Sequence, residues 1–345
     1  MHTSGPFSWP AQSEPSKGDE FMNKKILVTG AGGFIGHHLV NYLKERGYWV
    51  RGVDIKEPEY SSSPADEFEF LDLRRWDACL QATRGIDEVY NLAADMGGIG
   101  YITEFLADIA RNNTLINVHM LEAARVNEIS KFFYSSSACI YPAYLQDSAD
   151  VTPLKESNAY PAEPEEGYGW EKLYMEKMCQ YYTHDYGLET RVARFHNVYG
   201  TLGTYDGGKE KAPAAICRKV ALAKDGGDIE IWGDGNQTRS FMYVDDCVEG
   251  IYRITASDAS EPLNLGMDVM VTINELVDLI SEVAGKSLKK KHDITKPQGV
   301  RGRNSDNSKL NELLNWSPQF SLADGLSITY HWIESELRNS GRISG

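Results

Sequence analysis

The chain has 345 residues, enough for one large α/β unit or two domains, and 41% of them are apolar. A formal net charge of −15 argues against nucleic acid as a partner, although a local basic pocket could still hold a diphosphate. The five cysteines are odd in number and scattered without a CxxC pair, which excludes a disulfide framework and a structural metal site and suits a reducing, cytoplasmic setting.

Residues 1–22 read as a largely unstructured extension, polar and rich in Pro, Ser and Gly, without the apolar stretch of a secretion signal. No later apolar run approaches the roughly 18 residues of a membrane-spanning helix, so no membrane partner is expected. Lys25 to Thr29 reads as a strand and is followed at once by Gly30-Ala31-Gly32-Gly33-Phe34-Ile35-Gly36. An amphipathic stretch then continues to about Arg46, with Leu39, Val40 and Leu43 at helical spacing. Strand, glycine turn and helix in this order let a backbone approach a pyrophosphate at a helix N-terminus; the spacing is GxxGxxG, carried by Gly30, Gly33 and Gly36. A second strand, Trp49 to Val53, ends at Asp54, whose carboxylate suits a ribose diol and disfavours a 2′-phosphate, so NAD is expected over NADP.

A third strand, Glu67 to Leu71, leads to Asp72, placed to meet the adenine. A fourth, Glu88 to Leu92, ends in the small residues Ala93 and Ala94, followed by Gly97. Tyr101 to Val126 is mostly helical, with an interruption or kink expected at Asn112 to Thr114 and surplus apolar positions that make it a candidate dimer surface. The fifth strand starts at Lys131 and runs into Ser135, Ser136 and Ser137, with Cys139 two residues on. If the extended geometry persists, Ser137 and Cys139 face the same side. Tyr168 and Lys172 lie one helical turn apart on the next helix. Bringing a tyrosine from ~10 to ~7 takes about 4 kcal/mol, which an ammonium and a nicotinium can supply. Such a pair removes a hydroxyl proton as hydride leaves the carbinol carbon.

In the second half, Thr190 to Phe195 is a sixth strand, and a helix is expected over 214–224. Ile229 to Trp232 is a short strand, and the chain rejoins the first sheet over Phe241 to Asp246. Residues 262–266 read as that sheet's last strand, with a helix over Ile273 to Val283 and a final helix to about Leu337. Among the cations of this half, Lys219, Arg239 and Arg301 are favoured for a diphosphate pocket.

Taken together, Gly30/Gly33/Gly36, Asp54, Ser137 and Tyr168/Lys172 resemble the extended short-chain dehydrogenase/reductase family of nucleotide-sugar enzymes, over roughly residues 24–340. The resemblance implies an α/β fold, with a Rossmann doubly wound parallel sheet over 23–199 and 241–266. A smaller C-terminal α/β substrate domain is implied over 200–240 and 267–345, with bound NAD and a homodimer. It assigns cofactor contacts to Phe34, Ile35, Asp72 and Ala93 besides the glycines and Asp54. Within the family, SSACIYP (Ser136 to Pro142), Gly208 to Pro213, VRGRNSD (Val300 to Asp306) and the segment Trp232 to Phe241 resemble the epimerases that invert GDP-mannose at carbons 3 and 5. A 4,6-dehydratase would carry an Asp-Glu pair where Ala138 and Cys139 stand, whereas a 4-epimerase has no use for a second acid/base pair. The resemblance makes Cys139 and Lys211 that pair, aided in ionising the thiol by their proximity and by Lys172. It places the sugar nucleotide, a GDP-sugar, against Gly97, Ser136, Ser137, Asn197, Glu210 and Ala212, and against Gln237, Thr238 and Arg239. Ser135, Trp170 and the 143–152 loop depart from the pattern, at positions expected to lie away from the chemistry. The alternatives are a 4-epimerase or reductase on another nucleotide sugar, and a catalytically silent NAD-sensing protein.

Overall fold

The computed structural model describes residues 24–97, 99–296 and 298–343, so the extension expected at 1–22 lies outside the described residues. The chain begins with β1 (Lys25–Thr29), α1 (Phe34–Glu45), β2 (Trp49–Asp54), β3 (Glu67–Phe70), α2 (Trp76–Thr83) and β4 (Glu88–Asn91). It continues through α3 (Ile99–Glu104), α4 (Leu106–Val126), β5 (Lys131–Ser137), α5 (Tyr168–Tyr186) and β6 (Glu189–Phe195). With a later strand, β10 (Leu263–Leu265), these form one seven-stranded parallel sheet in the order β10-β6-β5-β4-β1-β2-β3. The interior strands β4 and β5 are buried on both faces, as helices above and below require of a parallel sheet, while β3 stands at the edge and is half-exposed. Chain order reverses between β1 and β4, and the crevice at the carboxyl ends of those strands is where such sheets hold ligands.

Three local expectations change. The helix α2, only two turns long and weakly amphipathic, is not anticipated in the sequence. The interruption expected at Asn112 to Thr114 falls instead at Phe105, between α3 and α4. The asparagines stay helical because their amides are buried and fully engaged: Asn112 Nδ2 donates to Asp95 Oδ2 at 2.9 Å and Asn113 Nδ2 to Glu171 Oε1 at 3.0 Å. Extended geometry also does not persist past Ser137, since Ala138–Ile140 closes into a 3-10 turn.

The second half contributes β7 (Asn197–Tyr199), α6 (Ala212–Leu222), β8 (Asp228–Trp232), β9 (Thr238–Tyr243) and α7 (Val244–Ala256) before β10. After it come β11 (Met270–Thr272), α8 (Ile273–Val283), β12 (Lys289–Asp293), β13 (Gly302–Arg303), α9 (Ser308–Leu314) and α10 (Leu322–Asn339). A second sheet gathers around β9, which pairs with β7 and β13 in parallel and with β11 in antiparallel. The return expected over Phe241 to Asp246 is therefore made by α7 and β10, because β9 stays in the second sheet. One continuous apolar core joins Ile26, Val28 and Leu39 to Ile216, Leu276 and Ile333, so the first sheet and the later helices pack as one body. No described helix is long and apolar enough to cross a membrane.

Candidate active site

The glycine turn joins β1 to α1. Gly30 has φ +70°, and a Cβ there would lie 2.9 Å from the Ala93 amide nitrogen, while a Cβ on Gly36 would run into the Gly30 carbonyl. Only glycine lets the turn lie this close to the segment after β4, and α1 this close to the turn. The first turn of α1 has neither a side-chain cap nor an acidic residue, so the amides of Phe34, Ile35 and Gly36 are free to meet an anion. Asp54 shapes the opposite wall: Oδ2 accepts from the Gly32 amide at 2.9 Å and Oδ1 from Ile55 at 2.6 Å. Burial raises its pKa, and these backbone amides oppose that. Asp72 is engaged by Arg74 at 2.6 Å, which leads among the causes lowering its pKa. A cradle of bare amides and small residues with a carboxylate at the end of β2 fits a dinucleotide.

Ser137, Cys139, Tyr168 and Lys172 come together at the carboxyl end of β5, all nearly buried. The turn after β5 aims Cys139 back, its amide donating to Ser137 Oγ at 3.2 Å. Tyr168 opens α5, and Gly169 beside it abuts the Cys139 carbonyl so closely that any side chain there would collide. That absence of a Cβ seats the tyrosine against the thiol. Burial holds the Tyr168 phenol well above its ordinary value, Cys139 and Glu171 push it further, and Ser137 opposes them. Lys172 Nζ donates to the Ser135 carbonyl at 3.1 Å and lies 5.4 Å from the Tyr168 ring centroid. Ser135 therefore touches the chemistry through its backbone, contrary to its expected remoteness. Ser136 turns away, its hydroxyl committed to Glu176 at 2.5 Å, so that side chain is not available to substrate as expected.

Lys211 is half-buried at the N-cap of α6, and its amine makes no hydrogen bond or ion pair with the described residues. Burial lowers its pKa, and the nearby Cys139 raises it. For the thiol the directions oppose: burial raises the Cys139 pKa, with Glu165 adding to it, and Arg303 lowers it. A further cation, unremarked in the sequence, stands beside the sulfur. Arg303 Nη1 lies 3.7 Å from Cys139 Sγ, while its other nitrogens hold Gln146 Oε1 and Glu165 Oε1, each at 2.5 Å. Gln146 belongs to the 143–152 loop, so that departure also reaches the site. Arg303 sits two residues from the favoured Arg301, and no local pattern in VRGRNSD distinguishes them.

The three favoured cations part company. Lys219 pairs with Glu230 at 3.2 Å, and Arg301 grips Asp234 through two bonds of 2.8 and 3.0 Å; both are neutralised outside the buried site. Arg239 is half-buried and, among the described residues, hydrogen-bonds only to backbone carbonyls, those of Thr238, Gln298 and Val300; desolvation takes its pKa to about 10. Arg239 makes no ion pair among the described residues, although Glu165 is near enough to raise its pKa, so its charge could still meet a diphosphate. Beside it, Gln237 Oε1 and Ser240 Oγ are buried without hydrogen-bond partners among the described residues. Asn197 Nδ2 donates to the Ser240 carbonyl at 3.0 Å and Thr238 Oγ1 to that of Ala149 at 2.5 Å. Glu210 braces its own loop through the Gly208 amide and Arg218, Ala212 opens α6, and Gly97 is packed on Tyr101.

Residues 26–266 match the family described as NAD dependent epimerase/dehydratase. The chain is 50% identical over 317 residues to a GDP-mannose 3,5-epimerase of Arabidopsis thaliana, covering 91% of this chain and 83% of that one. Its fold is similar to that of a UDP-glucose 4-epimerase from Thermotoga maritima, solved with UDP-glucose, with a TM-score of 0.81, 26% identity and coverage of 91% and 99%. It is also similar to a UDP-glucuronic acid 4-epimerase from Bacillus cereus, solved with UDP-glucuronic acid and NAD, with a TM-score of 0.77, 28% identity and coverage of 90% and 99%. The uncapped glycine turn and Asp54 fit a dinucleotide, and the chain belongs to the NAD dependent epimerase/dehydratase family.

Proposed function

We propose that this protein epimerises GDP-mannose at carbons 3 and 5, giving GDP-L-galactose, with GDP-L-gulose when only carbon 5 inverts. The observation that carries the reading is that Cys139 clusters with Tyr168 and also lies beside Arg303 and within electrostatic reach of Lys211, groups that we read as a second acid/base set. Identity of 50% over most of the chain to a protein of that name supports it. The amides of the glycine turn and Asp54 would hold NAD, which would supply a reversible hydride acceptor for carbon 4 and a positive charge. Tyr168 takes the carbon-4 hydroxyl proton, and Ser137 holds the same oxygen. The resulting ketone acidifies the hydrogens on carbons 3 and 5, and inversion needs a base on one face and an acid on the other. A free Cys titrates near ~8.5 and a Lys near ~10.4. Here the thiol is shifted up and the ammonium down, which brings the two toward a common value. Either can then give or take a proton, as two successive inversions require.

In this reading the sheet with its helices over 23–199 and 241–266 holds the cofactor, and residues 200–240 and 267–345 hold the sugar nucleotide. Leu115 on α4 and Tyr174 and Tyr181 on α5 are exposed, which is compatible with a homodimer built on these two helices. Five free, buried cysteines accord with a cytoplasmic setting. Incubation with GDP-mannose in deuterium oxide tests the function. Deuterium is expected at carbons 3 and 5 and is lost in Cys139→Ala while NAD stays bound; exchange retained in that variant removes the thiol from the mechanism. Turnover of a nucleotide sugar without any solvent exchange would make the protein a carbon-4 enzyme.

A further inference from the structure

Beside the catalytic lysine lies a carboxylate that the reaction above does not use. Glu171 and Lys172 are neighbours on α5, their side chains each 2% exposed, with Nζ 3.8 Å from Glu171 Oε1. Burial penalises both charges. The surrounding hydrogen bonds decide which form of Glu171 persists, because their direction is set by backbone amides that can only donate. Leu92 and Ala93 N–H both donate to Thr29 Oγ1 at 3.1 Å, so the hydroxyl proton goes to Asn91 Oδ1 at 2.8 Å. Asn91 must then present its NH2 to Asn117 Oδ1 at 2.9 Å, and Asn117 presents its own to Glu171 Oε2 at 3.4 Å. A second branch obeys the same logic: the Asp95 amide donates to Asn113 Oδ1 at 2.6 Å, which turns Nδ2 toward Glu171 Oε1 at 3.0 Å. Both carboxyl oxygens thus accept from N–H donors, which favours the ionised form against the desolvation that opposes it.

We propose that Glu171 is a positioning residue: a carboxylate kept ionised by two one-way hydrogen-bond chains, which keeps the buried Lys172 an ammonium throughout the reaction. The other titratable groups around Lys172 do not fill this role. Glu176 is bound to Arg194 at 2.8 Å and to Ser136, and the remainder are Tyr134, Tyr168, Cys139 and Cys179, neutral in their ordinary forms. The longer chain starts at Leu92 and Ala93, beside Gly30, so it also ties the lysine to the wall of the cofactor turn.

The inference rests on the reading of Tyr168 and Lys172 as the redox pair, and its test is independent of substrate. Holoenzyme carrying carbon-13 at lysine Cε is titrated by NMR, with the Lys172 signal identified by its loss in Lys172→Met. Glu171→Gln is expected to lower the Lys172 midpoint by roughly one to three pH units, the effect of one close opposite charge. Glu171→Asp, which withdraws the charge by a methylene, gives a smaller shift in the same direction and decides alone if the Gln variant does not fold. The alkaline limb of GDP-mannose exchange moves to lower pH with the same ordering, whereas a merely structural role lowers the rate without displacing the limb. A Lys172 midpoint unchanged or raised in the folded variants overturns the proposal. Wild-type protein inert toward GDP-mannose would refute the function instead and leave the titration to decide on Glu171.

Discussion

Replacing Arg303 with Gln removes a cation 3.7 Å from the thiol while leaving a polar side chain beside Gln146. Two unit charges 3.7 Å apart interact by about 4 kcal/mol at an effective dielectric constant of ~20. Glu165, 2.5 Å from the same guanidinium, cancels much of that field at the sulfur, leaving on the order of 1–2 kcal/mol. At 1.36 kcal/mol per unit, the Cys139 pKa should rise by about one unit in Arg303→Gln. The sign follows: less thiolate at a given pH, so exchange at carbons 3 and 5 falls roughly tenfold near neutrality and recovers as pH is raised. The assay is the rate of Cys139 alkylation by iodoacetamide across pH, with Cys139→Ala as the blank. Glu165→Gln in the same background removes the carboxylate left without its partner and should bring the midpoint part of the way back. An alkylation midpoint that stays put or moves down in Arg303→Gln would refute the idea that this arginine sets the thiol's charge.

Two other substitutions probe the geometry. Gly169→Ala puts a methyl group into the Cys139 carbonyl and Pro164, so α5 must withdraw from the turn it packs on. Thermal unfolding should show a loss of about 1–3 kcal/mol, and rapid-scan absorbance should show slower bleaching of bound NAD by substrate. For the diphosphate, Arg239→Gln should raise the KM for GDP-mannose by roughly ten- to a hundredfold, as expected for loss of a hydrogen bond to a charged group worth ~1.5–3 kcal/mol. Arg301→Gln should change it less than about threefold, because Asp234 already neutralises that guanidinium; equal effects from the two would contradict the assignment.

How far each feature was legible follows from its range along the chain. The strands of the first sheet, the glycine turn and Tyr168/Lys172 are short-range patterns, and the structure keeps their boundaries to within a residue or two. The expected kink at Asn112 to Thr114 shows where such patterns mislead. Asparagine is a poor helix former in water, but here the amides of Asn112 and Asn113 are consumed by Asp95 and Glu171, partners from other segments. The choice among Lys219, Arg239 and Arg301 could not be made from charge alone, since what distinguishes them is whether a carboxylate from another strand or turn reaches them.

From its order of residues alone, this chain specifies an α/β nucleotide-binding unit and a tyrosine and lysine one turn apart, because backbone turns and helical periodicity are local. Only the folded chain decides the ionisation of those groups. Arg303 reaches Cys139 across 164 residues, Gln146 reaches Arg303 across 157, and Asn117 reaches Glu171 across 54. The charge on a buried group depends on which donors and counter-ions are packed against it in a dry interior, and that packing exists only once distant segments have met.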